Sequence, residues 1–330
     1  MNINSENTRA PFMRMASVAV LAIVISGCGS PTDYTTTIGE LKTAIDSTIS
    51  TISTIDATIT KRKNEIWQDE IVAGTALLEN KDESCAIGES GCSLLVRYSG
   101  EEGIDFPLKS VLVKSQAGLT ALKSYVANLK AIVEADTAGQ ITEQTNKAIA
   151  SLTEIEAEVA KANGTDPSKG LIAAYSEPIG AFFKWAVERY VDHVKLDALA
   201  TATKRAHPAI LGLNDLMSTI ENSAVTVAFS EAQKVFLAEK VKFDAADTST
   251  SITQAIISDY VNAVVAVDQA LKASVAEPLA AFTTAHEKLM MNLNNEGDIS
   301  LADAIAAIDD LKMRATEFKA LVEGFTNVGN

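Results

Sequence analysis

Residues 37–66, which read TIGELKTAIDSTISTISTIDATITKRKNEI, carry an isoleucine at every seventh position. Apolar residues that alternate at spacings of three and four lie on one face of an α-helix, whereas a strand needs a spacing of two. The stretch therefore predicts a long helix that begins at the capping-box pattern of Thr37 and Glu40 and runs to about Asn80. The seam of this helix consists of Ile38, Leu41, Ile45, Ile52, Ile55, Ile59 and Ile66.

Helical spacing continues along the rest of the chain. A second helix is predicted to start near Asp105–Pro107, because proline suits the first turn of a helix. A third is predicted to end at Asn163–Gly164, His207–Pro208 predicts a helix break, and the last helix is predicted to follow Ser300. The apolar positions of these helices include Leu112, Leu119, Leu122, Ile141, Leu152, Ile155, Tyr175, Phe182, Tyr190, Ile257, Tyr260, Val264 and Val267.

The composition favours long helices over a β-rich fold. Hydrophobic residues make up 47% of the 330 residues, aromatic residues only 5%, and the chain contains just 7 prolines. We therefore expect an all-α fold of long antiparallel helical bundles, with one small disulfide-closed loop. The sequence NGTDP, which starts at Asn163, is the best internal boundary. It predicts an N-terminal bundle over residues 37–164 and a C-terminal bundle over residues 165–330.

The C-terminal bundle contains two similar segments. Leu171, Glu177, Pro178 and Phe182 have counterparts at a constant offset, namely Leu271, Glu277, Pro278 and Phe282. Helices rich in alanine and leucine also match one another by chance. An internal duplication and a chance similarity therefore both stay open.

The beginning of the chain has the pattern of a secretory signal. Arg9 and Arg14 precede an apolar run from Met15 to Ile25 that is too short to span a bilayer as a stable helix. The run ends in Ile-Ser-Gly-Cys at 25–28, which resembles the lipobox of bacterial lipoproteins. An uncleaved membrane anchor with an incidental cysteine is the alternative.

The lipobox resemblance implies that the chain is cleaved before Cys28 and that Cys28 carries lipid on its sulfur and an acylated amino group. Residues 1–27 are then the signal peptide and residues 28–36 a lipidated tether. The predicted partner is therefore the membrane, to which the lipid on Cys28 attaches the protein. The resemblance places the protein in the cell envelope, on the outer membrane facing the periplasm, because Gly29 is not the aspartate that commonly retains such proteins at the inner membrane.

The two remaining cysteines agree with export. Cys85 and Cys92 lie close together in a polar, glycine-containing segment. Outside the cytosol such a pair predicts a disulfide, which for a loop this short stabilises the fold by about 2–3 kcal/mol. A redox-active pair is the alternative, and a metal site is disfavoured because no histidine lies nearby. Leu94–Tyr98, just beyond the loop, predicts a short strand.

Residues 292–303, NLNNEGDISLAD, resemble an EF-hand or dockerin-type calcium loop. In that pattern oxygen ligands alternate along twelve residues, glycine at position six makes the turn, and an aliphatic residue follows at position eight. The alternative is a plain helix–turn–helix in which Ser300 caps the last helix. The resemblance implies that the calcium ligands are Asn292, Asn294, Glu296, Asp298, Ser300 and Asp303. Asp298 would bind through its backbone carbonyl. No cofactor other than calcium is predicted.

Charge and motifs narrow the functional classes. The formal net charge is −15, so nucleic acid is not an expected partner. The sequence contains no Gly-rich phosphate loop, G-x-S-x-G elbow or HExxH motif, and His193, His207 and His286 lie far apart along it. We therefore expect a lipid-anchored, non-enzymatic scaffold or protein-interaction module with a protein partner. A ligand- or calcium-binding helical bundle is the alternative.

Overall fold

The computed structural model describes residues 30–81, 93–98, 102–106, 112–164, 191–247, 253–272 and 274–327. The helices in this part of the chain are α1 (Pro31–Val72), α2 (Val113–Glu134), α3 (Ala138–Ala162), α4 (Val191–Asp247), α5 (Gln254–Lys272), α6 (Ala276–Leu293) and α7 (Leu301–Asn327). The strands β1 (Leu77–Asn80), β2 (Leu94–Arg97) and β3 (Ile104–Phe106) form one small antiparallel sheet in that order. The prediction of a mostly helical, all-α protein is confirmed.

The heptad seam within residues 37–66 is the buried face of α1. Every seam position from Ile38 to Ile59 is at most 6% exposed, and Ile66 is half-buried. Two predicted boundaries were wrong. The helix begins earlier, where Ser30 and Asp33 form the capping box, and it ends at Val72 instead of near Asn80. Gly74 has a φ of 76°, a conformation that suits glycine, and it turns the chain into β1.

The sheet explains the late start of α2. The predicted strand at Leu94–Tyr98 is confirmed as β2. The predicted helix start at Asp105 was wrong, because Ile104–Phe106 pairs with β2 as β3 and the helix begins only at Val113. β-Branched and aromatic residues suit a strand, and their pairing with β2 overrides the helix-start signal of the following proline.

The predicted break at His207–Pro208 was also wrong. Pro208 lies inside α4, which continues from Val191 to Asp247. Proline removes one backbone hydrogen bond and costs a helix interior about 3 kcal/mol. Buried side chains on both sides of the proline, including Ala206 and Ile210, keep the two halves of α4 packed against the core.

One buried cluster contains residues of α1, α2, α3, α4, α6 and α7. Helices from both sides of residue 164 contribute to this cluster, and the division into bundles over residues 37–164 and 165–330 stays a prediction. The end of α3 is as predicted, with Gly164 at a φ of 67°. Pro178 lies outside the described residues, so the duplication hypothesis stays a prediction.

Helix α5 lies outside this cluster for most of its length, and it packs against α4 and α7. Ile257 and Val264 are among the predicted apolar positions of this helix. In the structure these residues are 36% and 42% exposed, while Ala263 and Ala266 are buried. The inner face of α5 thus carries small alanines, and the larger aliphatic residues face outward.

Candidate functional site

Two histidines far apart in sequence meet in the core. The rings of His207 on α4 and His286 on α6 stack with centroids 6.1 Å apart and planes at 3°. The hydroxyl of Tyr125 on α2 lies 2.8 Å from Nε2 of His286, and the Phe282 ring is 6.0 Å from His286. The cluster thus joins three helices at one point.

Burial decides the protonation of this cluster. Tyr125 and His286 are both fully buried. Loss of hydration lowers the pKa of His286 to about 3, with a smaller contribution from neighbouring His207. Burial also raises the pKa of Tyr125 well above its usual value. The contact between them is therefore a hydrogen bond between two neutral groups, and it stabilises the packing of α2 against α6.

His207 and His286 are distant in sequence, and their contact was not predicted. One signal was present, because Leu279, Phe282, His286 and Leu289 follow helical spacing on one face of α6. A histidine in such a seam is predicted to be buried. Its partners on α2 and α4 depend on how the helices pack, which the spacing does not encode.

The calcium-like loop connects α6 and α7, and its first half contacts other helices. Asn292 is 5% exposed; its Oδ1 accepts a 2.5 Å hydrogen bond from the Tyr34 hydroxyl, and its Nδ2 donates to the Ile299 carbonyl at 3.0 Å. Asn294 donates to the carbonyls of Met290 and Ala200. Glu296 forms an ion pair of 2.5 Å with Lys204. These side chains therefore tie the loop to α1 and α4.

The second half of the loop begins α7. The Ser300 amide and hydroxyl donate to Asp303 Oδ2 at 2.8 and 2.6 Å, and the Asp303 amide donates back to the Ser300 hydroxyl at 3.2 Å. These hydrogen bonds lower the pKa of Asp303. Gly297, with a φ of 70°, makes the turn, and Asp298 is exposed. This geometry is the helix–turn–helix alternative, and calcium binding stays a prediction.

Among the described residues, no group of three or more histidine, cysteine, aspartate or glutamate side chains is arranged to hold a metal ion. Two of the predicted ligands already make structural contacts, since Asn292 is bonded to Tyr34 and Ser300 to Asp303.

We predict that Ser300→Ala lowers the free energy of unfolding by about 1 kcal/mol in the presence of a chelator, because the helix loses its N-cap. Urea unfolding of the full chain measures the change, with Ser258→Ala on exposed α5 as the control. The same experiment tests the calcium hypothesis. A melting temperature that rises with millimolar calcium but not with magnesium would favour a metal site over a cap alone.

A groove of about 590 Å³ runs along the second half of α1, with Asp56, Lys61 and Gln116 in its wall. Asp56 is 3% exposed, and its carboxylate accepts hydrogen bonds from the Leu112 amide at 3.1 Å and from Gln116 Nε2 at 3.3 Å. A carboxylate in this position stabilises the start of α2. Its hydrogen bonds give Asp56 a structural role.

The second candidate site is the outer surface of α5. Near their connection, α4 and α5 form a helical hairpin held by aromatic contacts, with the Tyr260 ring 4.7 Å from Phe243 and 5.7 Å from Phe236. Val261 is 50% exposed, and the aliphatic residues around it are also exposed. We call this surface the α5 stripe, and it consists of Ile257, Val261, Val264 and Val265.

The α5 stripe carries almost no charge. Asp259 is the one charged residue between positions 254 and 267. On the adjacent part of α4, Lys240 pairs with Asp244 at 2.5 Å and Lys242 pairs with Glu239 at 2.6 Å. Exposed aliphatic residues with few charges around them are typical of a surface that binds another protein.

Comparison with protein-family models, with curated proteins and with solved structures found no match to this chain. None of the helices in the described part combines the length and the apolar character needed to cross a bilayer. The predicted lipidation site Cys28 and the predicted disulfide of Cys85 and Cys92 lie outside the described residues. They stay predictions.

Proposed function

We propose that this protein is a lipid-anchored component of the bacterial cell envelope that acts as a non-enzymatic interaction module, and that its α5 stripe binds an α-helix of a protein partner. The observation that carries the proposal is the exposure of Val261 and its neighbours on a helix whose surface is nearly uncharged. The anchor rests on the lipobox pattern that ends at Cys28.

The spacing of the stripe favours a helical partner. Ile257, Val261 and Val264 are four and three residues apart, the spacing that pairs helices side by side in coiled coils. β-Branched side chains have few rotamers, so their ordering on binding costs little conformational entropy. An amphipathic helix with the same spacing would bury this stripe.

A lipid surface fits the stripe less well. Helices that lie on membranes combine an apolar face with lysine or arginine, and residues 254–267 contain neither. The position of the stripe agrees. Tyr34, near the start of α1, contacts Asn292, which lies in the loop that also contacts Ala200 of α4. From Ala200 to the hairpin aromatics, α4 extends about 60 Å, so the stripe lies far from the start of α1, which follows the predicted anchor at Cys28.

The test is chemical cross-linking of the full-length chain in its native envelope, followed by solubilisation and capture of the cross-linked partner proteins. We expect the double substitution Val261→Glu and Val264→Glu to reduce partner recovery at least about tenfold, because the interface would bury two unpaired charges. Ala255→Glu, on the same helix but outside the stripe, should retain recovery and serves as the matched control. Equal recovery with the double variant and the wild type would refute the proposal.

A further inference from the structure

We propose that the helix that binds the α5 stripe is α5 of a second copy of this chain. The inference rests on the proposed function, since it names the partner of the same surface. The pattern of side chains along the stripe and the distribution of charge favour a second copy.

The stripe is nearly symmetric about its centre. Val261 lies in the middle, with Ile257 on one side and Val264 on the other, and the polar residues Gln254 and Asp268 follow at the two ends. A surface that pairs with its own copy about a two-fold axis must be self-complementary. An aliphatic centre with polar ends meets this requirement when the two α5 helices run antiparallel, because Asp268 of each copy then faces Gln254 of the other and Val261 faces Val261.

Charge also favours this surface for self-association. The chain has a formal net charge of −15, so most faces of two copies repel each other. Asp259 is the single charge between positions 254 and 267. Because the stripe is nearly neutral, it brings two acidic copies together at a low electrostatic cost.

The size of the stripe sets the strength of the dimer. Stable interfaces bury about 800 Å² on each partner, and four partly exposed aliphatic side chains on one helix provide less. Tethering two copies to one membrane raises their effective concentration, to the order of millimolar for short flexible links. We therefore expect a dimer in the membrane that dissociates when the protein is diluted in detergent.

The experiment is photo-cross-linking of the full chain in its native membranes, with benzoylphenylalanine in place of Val261. We expect an adduct of twice the mass of the chain, with peptides of this chain alone and with two differently tagged copies in one band. Benzoylphenylalanine at Val265, also on the stripe, provides a second position if the first substitution disturbs folding. The same probe at Ala255 should give no such adduct.

The outcomes separate the two proposals. An adduct with a different protein from both stripe positions would overturn the second copy as partner and leave the proposed function intact. The absence of any adduct from both positions, with the variants folded and in the membrane, would overturn both proposals.

Discussion

Acidification from neutral pH to about pH 4 is expected to destabilise this protein through His286, by about 3 kcal/mol in the free energy of unfolding. The pKa of His286 is lowered from 6.5 to about 3 in the folded protein by burial. Above about pH 6.5 the ring is neutral in both the folded and the unfolded state, so the ionisation of His286 does not change the free energy of unfolding there. Between about pH 6.5 and pH 3 the unfolded chain binds a proton that the folded core excludes, and stability falls as the pH falls.

Urea unfolding at several pH values measures this effect, and a substitution isolates it. His286→Phe removes the titrating group but keeps an aromatic ring beside Phe282. The substitution removes the hydrogen bond with Tyr125. This loss is the same at every pH in this range, because the raised pKa of Tyr125 keeps its hydroxyl neutral throughout. The variant is therefore less stable at neutral pH and loses less stability with acid than the wild type.

His193 on α4 is exposed and provides the control. His193→Gln should keep the pH dependence of the wild type, because its ring does not lie in the buried cluster. His207, which stacks on His286, is the other titratable side chain in that cluster besides Tyr125. If His286→Phe and the wild type lose the same free energy between neutral pH and about pH 4, burial of His286 does not cause acid sensitivity.

Cys28→Ser is expected to abolish lipid attachment and to release the protein from the membrane. Each buried methylene of an acyl chain contributes about 0.8 kcal/mol to membrane binding, so the loss of several chains removes nearly all of the affinity. Labelling of growing cells with a clickable palmitate analogue, followed by membrane fractionation, measures both effects.

Cys85→Ser is the matched control for this substitution. It removes a cysteine that the sequence assigns to a disulfide, so the label and the membrane fraction should both be unchanged. A wild-type protein without fatty-acid label would contradict the anchor, and with it the predicted place of the protein in the cell envelope.

Local sequence determined much of the fold. The seven-residue spacing of isoleucines identified the buried face of α1, since residues seven apart lie on nearly the same face of a helix. The end of α3 followed from Gly164, which adopts a left-handed conformation that glycine tolerates. The Ser300–Asp303 cap followed from two polar side chains at the spacing of a capping box. Each of these features depends on residues close together in the chain.

Tertiary packing decided what short-range spacing leaves open. Pro208 signals a break, yet buried side chains on either side keep α4 continuous. Helix α5 is apolar on more than one side, and its packing against α4 and α7 buried Ala263 and Ala266 and left Val261 exposed. The meeting of Tyr125, His207 and His286 required three helices to pack at one level. A helical pattern fixes which residues share a face, but the partner of that face is set by contacts between residues far apart in the chain.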